Sequence, residues 1–286
     1  MFKVAILGCE NSHADNFLKV IAEQYSDKVQ VLGVFSEYEG AAEKLQEQFG
    51  VPVMESADAL VGQLDGVIIT ARHGGKHYPY AKPYLNDGIP MFIDKPITVS
   101  EEEAREFAGI LREKNIPASG GSTLKHAPYL AELKEKMAEG ELGRVLGGYF
   151  RAPVNLENEY GDFFFYSQHL VQMICEVFGY YPKAVRTCRT GKQITCVFRY
   201  EDFDVTGLYV DGSYVYYGSV HFQKGMEGQA FKTGPNASAD EFRDFYELLE
   251  GKPQCQSYED LFQPVFIMNA LYRSMESGAE ESVGRL

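Results

Sequence analysis

No tryptophan, no Cys-x-x-Cys spacing and no apolar run long enough for a membrane occur in this sequence. The longest apolar stretches fall well short of the ~20 residues a spanning helix needs, so no membrane association is expected. The five cysteines, Cys9, Cys175, Cys188, Cys196 and Cys255, are scattered and odd in number. That argues against a disulfide scaffold and reads as reduced thiols, mostly packing residues. Positive charge is the scarcer sign: 27 Lys and Arg against 41 Asp and Glu leave a formal net charge of −14. Phosphate backbones are bound by clusters of Lys and Arg, so no nucleic-acid partner is expected. A Gly-x-Ser-x-Gly elbow and a phosphate loop ending in Gly-Lys-Ser/Thr are also missing, which removes two common hydrolase signatures. The first residues read as a short buried strand rather than a secretory leader, and the cytoplasm is the expected location.

What is present is patterned. Hydrophobic residues make up 45% and charged residues 24% of the 286, the proportions of a folded globular protein with one large domain or two ordinary ones. Strands are expected over 2–7, 29–35, 65–70, 90–93 and 117–120, with helices over 15–25, 39–49, 78–86 and 100–114. Ser100-Glu101-Glu102-Glu103 forms a capping box, in which Ser100 accepts from the third helical N–H and Glu103 reaches back. Continuous apolar strands between amphipathic helices imply a parallel sheet covered on both faces. From 121 onward the pattern changes to strands over 146–153, 184–190, 194–200, 205–210 and 214–222, with helices over 127–138, 164–178, 239–249 and 258–275. Tyr200-Glu201-Asp202-Phe203 and Val210-Asp211-Gly212-Ser213-Tyr214 are expected to turn between neighbouring strands, the second through an Asp-Gly pair. The predicted class is α/β: an N-terminal Rossmann-like parallel sheet over 1–120, then a C-terminal α+β domain over 121–286 built on a largely antiparallel sheet.

The first strand runs into Gly8-Cys9-Glu10-Asn11-Ser12-His13. A dinucleotide loop needs one glycine to turn, one to admit the diphosphate and one for close helix packing. Gly8 fits the first place, whereas Glu10 and His13 stand in the second and third. In parallel sheets ligands bind beyond the carboxyl ends of the strands, so the loops 8–13, 36–38, 70–77 and 94–96 are expected to converge. They supply Gly8, Glu10, Asn11, Ser12, His13, Ser36, Glu37, Thr70, His77, Asp94 and Lys95 as candidate cofactor contacts. Ser36 and Glu37 fall where a ribose-binding acid usually lies, and no arginine follows closely to take a second phosphate, which favours NAD slightly over NADP.

At Asp94-Lys95-Pro96 the chain resembles the Gfo/Idh/MocA family of NAD(P)-dependent oxidoreductases, whose corresponding strand ends in Glu-Lys-Pro. The histidine-ended run Thr70 to His77 and the segment Gly140-Glu141-Leu142-Gly143-Arg144-Val145 resemble further family features in the expected order. The resemblance implies hydride transfer between a nicotinamide and a sugar, polyol or related small molecule. Lys95 would polarise the reacting oxygen and His169 would move the proton. The family's aspartate four residues before that histidine falls at Phe165, and the acid commonly found three residues after it falls at Gln172. The alternative reading is therefore a catalytically inactive ligand-binding or regulatory member of the same fold.

Lys125, His126, Arg151, Asp162 and Tyr166 are further candidate substrate contacts beside Lys95 and His169. His13, His73 and His77 with Asp94 are the nearest approach to a metal group, but there is no His-Glu-x-x-His core or cysteine cluster, and no metal is expected. The 19 tyrosines and 19 phenylalanines read mainly as core and sheet packing. A small-molecule substrate and a homo-oligomer, dimer or tetramer, are the expected partners.

Overall fold

The computed structural model describes all 286 residues. Its first seven strands and six helices follow the alternation of the sequence: β1 Phe2–Leu7, α1 Ser12–Gln24, β2 Val29–Phe35, α2 Ala41–Phe49, β3 Gly66–Ile69, α3 His77–Ala81, β4 Met91–Asp94, α4 Glu101–Glu113, β5 Ala118–Gly121, α5 Pro128–Glu139, β6 Val145–Val154, α6 Phe163–Phe178 and β7 Ala184–Thr190. They are followed by β8 Gln193–Arg199, β9 Asp204–Asp211, β10 Tyr216–Phe222, β11 Gly225–Phe231, α7 Ala237–Leu249, α8 Tyr258–Ser277 and β12 Glu281–Ser282. No helix is long and apolar enough to cross a membrane.

The first sheet has the order β2-β1-β3-β4-β5 with every pair parallel. Val4 to Leu7, Val67 to Ile69 and Met91 to Ile93 are wholly buried, as a sheet covered on both faces requires. Its order reverses between β1 and β3, and all carboxyl ends lie on one edge. Two local expectations change. The 78–86 helix is α only over His77–Ala81 and tightens to a 3-10 turn over Lys82–Asn86, where Pro83 withholds an N–H. Ser100 caps α4 as expected, accepting from Glu103 N at 3.3 Å. Glu103, however, does not reach back to it but accepts from Thr98 Oγ1 at 2.5 Å.

The second sheet has the order β11-β10-β6-β9-β8-β7-β12 and is antiparallel except where β6 runs parallel to β9. The turn Tyr200-Glu201-Asp202-Phe203 joins neighbours β8 and β9. The Asp211-Gly212 turn does not make a hairpin: β6 lies between β9 and β10 and pairs with both. The Asp-Gly signal is local and carries no information about a strand 60 residues upstream, which wins by bringing Phe150 and Ala152 into the core. Strand β11 escaped the sequence reading because Gly-Met-Glu-Gly-Gln-Ala is mostly exposed and has no apolar alternation. α6 packs on one face of this sheet. Gly148 allows the contact, since a Cβ there would lie 2.5 Å from the Phe178 ring.

The chain divides into two compact units, 1–121 with 238–261, and 122–237 with 262–286. The expectation of one continuous second domain over 121–286 therefore needs correction. Phe242, Phe245 and Leu249 of α7 join Phe17, Ile68 and Phe92 in the core of the first unit. Each buried phenylalanine is worth ~2–3 kcal/mol of apolar burial, enough to return the segment to the earlier sheet.

Candidate active site

The carboxyl edge of the first sheet gathers the four expected loops. Gly8 N and Cys9 N both donate to Phe35 O, at 2.8 and 3.0 Å, tying the β1 loop to the end of β2. Thr70 Oγ1 donates to Gly8 O at 3.2 Å. Gly8 has φ +79°, and a Cβ on it would lie 2.4 Å from the backbone of Ala71. Gly8→Ala is accordingly expected to destabilise the first unit by roughly 3 kcal/mol, from left-handed strain and overpacking. A lowered urea midpoint at unchanged slope is the measurement.

The residues in place of the missing glycines are engaged within the site. Glu10 Oε2 accepts from Ser36 Oγ at 2.8 Å, and its Oε1 accepts from Arg72 N at 2.9 Å. Asn11 caps α1, its Oδ1 accepting from His13 N and Ser12 Oγ, both at 3.4 Å. Its amide donates to Asp94 Oδ2 at 2.9 Å. His13 Nδ1 stands 3.0 Å from Asp94 Oδ1, close enough for an ion pair though not aligned as a hydrogen bond. Lys95 N donates to the same carboxylate at 2.7 Å. Glu37 pairs instead with Lys76, at 2.7 Å on the surface.

Asp94 and His77 are completely buried and Lys95 is 5% exposed. Burial alone would raise the Asp94 pKa, but His13 and Lys95 together outweigh it and hold the carboxyl below its ordinary value. Burial likewise opposes a charged His13, and Asp94 reverses the sign, so that ring is held above its ordinary value. For Lys95 burial prevails, and the ammonium pKa falls despite the pull of Asp94. Glu241 of α7, which is 1% exposed, adds negative potential at both His13 and Lys95. No sequence pattern singled it out, because only the return of α7 brings it here. His77 places Nδ1 2.6 Å from Pro96 O and Nε2 2.8 Å from Ala71 O, stapling the β3 loop to the β4 loop. Its burial pushes its pKa down. His73 Nδ1 accepts from Gly75 N at 3.0 Å and caps a short 3-10 turn.

In the second unit His169 lies on α6, 8% exposed. Its Nδ1 is 2.7 Å from Ser122 Oγ. Ser122 N donates to Gln172 Oε1 at 3.4 Å, and Gln172 Nε2 donates to Tyr180 Oη at 2.9 Å and Glu176 Oε1 at 3.1 Å. His169 and Gln172 are three apart, on one helix face. The Tyr166 ring meets the His169 ring edge-on at 5.2 Å, and Tyr216 lies at 6.1 Å. The reading of the sequence missed Ser122; its one signal was a serine placed directly after a strand end, where it caps the 3-10 turn Thr123–His126.

The other candidates have separate surroundings. Lys125 and His126 sit on that 3-10 turn and do not open a helix, since α5 begins at Pro128. Arg151 donates to Val215 O at 2.7 Å and Ser213 Oγ at 2.6 Å, so its guanidinium fastens the β9–β10 connection. Asp162, at φ +49° before α6, accepts from Asn158 N at 2.9 Å. It lines a hollow of about 280 Å³ with Leu156, Arg189 and Tyr272, and neither His169 nor Tyr166 lines it.

A parallel sheet of this order, with a glycine-turned loop at its carboxyl edge, defines a Rossmann-like fold. Residues 2–121 match the model of the GFO_IDH_MocA oxidoreductase family, NAD-binding Rossmann fold. Over 114 residues it is 26% identical to UDP-N-acetylglucosamine 3-dehydrogenase of Acidithiobacillus ferrooxidans, covering 40% of this chain and 36% of that protein. Over 117 residues it is 26% identical to glucose-6-phosphate 3-dehydrogenase of Bacillus subtilis, covering 41% and 33%. The chain thus spans about a third of the length of these curated relatives. The fold of scyllo-inositol dehydrogenase from Lactobacillus casei, solved with NAD(H) and scyllo-inositol, superposes with a TM-score of 0.85 at 16% identity over 99% of each chain.

Proposed function

We propose that the protein is an NAD(P)-dependent oxidoreductase exchanging hydride between a nicotinamide and a sugar, polyol or related small molecule, with NAD favoured over NADP. The observation that carries this reading is the buried Asp94–Lys95 pair at the carboxyl edge of the Rossmann sheet, where a lysine is kept away from water and anchored through its own backbone. The two curated relatives are dehydrogenases of sugar derivatives by name, which supports the substrate class.

The residues present fit a dinucleotide. The 13-residue helix α1 points its N-terminal N–H groups at the loop edge, a favourable place for a diphosphate. Ser36 supplies a hydroxyl at the end of β2. Glu10 is the misfit, a carboxylate held by Ser36 Oγ and Arg72 N in the second glycine's place. When bound, the nicotinamide supplies the hydride chemistry. Lys95 stabilises negative charge on the reacting oxygen, most strongly where water is excluded. His169, in the second unit, is the imidazole that the family resemblance assigns to the substrate. Ser36 at the end of β2, with no arginine close behind, supports NAD. The exposed apolar side chains Leu146, Tyr214, Val215 and Met226 of the second unit support a homo-oligomer.

Calorimetric titration tests the reading: NAD should bind saturably and more tightly than NADP. Flat titrations with both on folded protein would refute it. Glu10→Gly removes a carboxylate that holds Ser36 Oγ and Arg72 N, and is expected to tighten NAD binding about tenfold, ~1.4 kcal/mol.

A further inference from the structure

We propose that Ser122 fixes neutral His169 as its Nε2–H tautomer, so that the imidazole meets a ligand oxygen as a hydrogen-bond donor rather than as a base. The inference rests on the functional reading above for the ligand, but its structural part stands on the second unit alone.

Ser122 is completely buried. Its Oγ accepts from Leu124 N at 3.3 Å as the cap of the 3-10 turn, and its one hydroxyl proton has one acceptor, His169 Nδ1 at 2.7 Å. If Nδ1 carried the ring proton, it would donate to Oγ and leave the serine proton buried without an acceptor. A loss of that kind favours the other arrangement by at least about tenfold. The serine therefore donates, Nδ1 accepts, and the ring proton sits on Nε2. A carboxylate facing Nδ1 would do the reverse, since it only accepts: it would draw the proton to Nδ1 and leave Nε2 with a lone pair, the arrangement of a general base.

Gln172 makes the arrangement rigid. Its Oε1 takes the backbone N–H of Ser122, while its amide is committed to Glu176 and Tyr180. Ser122 is thus held to α6 at two positions one turn apart, through its N–H to residue 172 and through its O–H to residue 169. The same two bonds account for the absence of acid at Phe165 and Gln172: neither is needed to orient the ring. A neutral imidazole presenting Nε2–H can polarise a carbonyl or hold an alkoxide without gaining or losing a proton. Ser122 is a positioning residue here, and His169 is the group that touches the ligand.

The test is a two-bond ¹H–¹⁵N correlation spectrum of the full chain labelled at histidine, recorded above the titration of the ring, with His169 assigned by its loss in His169→Gln. The expected result is a protonated Nε2 and an unprotonated Nδ1 in about nine-tenths or more of the molecules. A protonated Nδ1 overturns the proposal. Ser122→Thr should keep the pattern and Ser122→Asp should reverse it; an unchanged tautomer in a folded Ser122→Asp protein also overturns it. Should the aspartate variant not fold, the wild-type spectrum decides. A reversed tautomer alongside saturable NAD binding would defeat this inference and leave the oxidoreductase reading intact. The expected tautomer alongside flat NAD and NADP titrations would do the opposite.

Discussion

Lys95→Met is expected to lower kcat/KM about a thousandfold, ~4 kcal/mol of transition-state stabilisation, while leaving the protein at least as stable as before. The two halves of this outcome have one cause. Lys95 is almost entirely buried, and burial drives its pKa down more than Asp94 can restore it. An ammonium held against that penalty costs folding energy, and in the proposed function it would act on a reacting oxygen with little competition from water. Methionine keeps the stem and removes the charge. The sign of the pH effect follows. Between the lowered folded pKa and the ordinary value of 10.5, the unfolded chain binds more protons, so burial of Lys95 costs most below the folded pKa and the cost fades as pH rises through this window. In the methionine variant that alkaline gain disappears. Activity in the wild type should fall over the same limb, as the ammonium is lost. Steady-state turnover on a polyol or sugar substrate and urea unfolding at several pH values check both halves. Turnover within about twofold of wild type would remove Lys95 from the chemistry.

Asp94→Asn is expected to cost about 3–5 kcal/mol of stability near neutral pH. The carboxylate is fully buried and takes the Asn11 amide, the Lys95 N–H and the charge of His13 at once. Asparagine can keep part of the hydrogen bonding but none of the charge, which leaves His13 and Lys95 with less compensation. The pair has its own pH window. Asp94, held below its ordinary 3.8, contributes fully above that value and loses its contribution as pH falls through the lowered pKa. His13, held above 6.5, contributes fully below that value and loses its contribution as pH rises through the raised one. The wild type should therefore show a stability plateau between about pH 4 and 6.5 with a shoulder on each side. Both shoulders should flatten in the asparagine variant. Glu241 and His77 face the same cluster, so the comparison is of the two profiles rather than of either alone. A variant with the wild-type midpoint and the same two shoulders would show that the cluster does not hold the site together.

The first sheet was legible because its signals are local. Val67-Ile68-Ile69 and Met91-Phe92-Ile93 are apolar runs of strand length, and the helices between them show a single apolar face, so period and length suffice. The meeting of the four loops was legible for the same reason, since every parallel strand delivers its carboxyl end to one edge. What the loops do on arrival was not. Glu10 read as an obstacle to a diphosphate; it is also a tie between Ser36 and Arg72 N. His13 read as a lost glycine; it is the charge partner of Asp94. Both roles depend on distances between residues that are 26 to 81 apart in sequence.

Composition, period and turn chemistry were enough to establish two layered architectures and the succession of the first sheet's elements, because each arises from neighbours within a few residues; the candidate pair Lys95 and His169 came from the family resemblance. Which strand lies beside β10, which unit receives α7, and which hydroxyl orients His169 came only from three-dimensional packing. In each case several pairings satisfy the local pattern equally, and the choice is made by apolar burial and hydrogen-bond satisfaction summed over segments far apart in the chain.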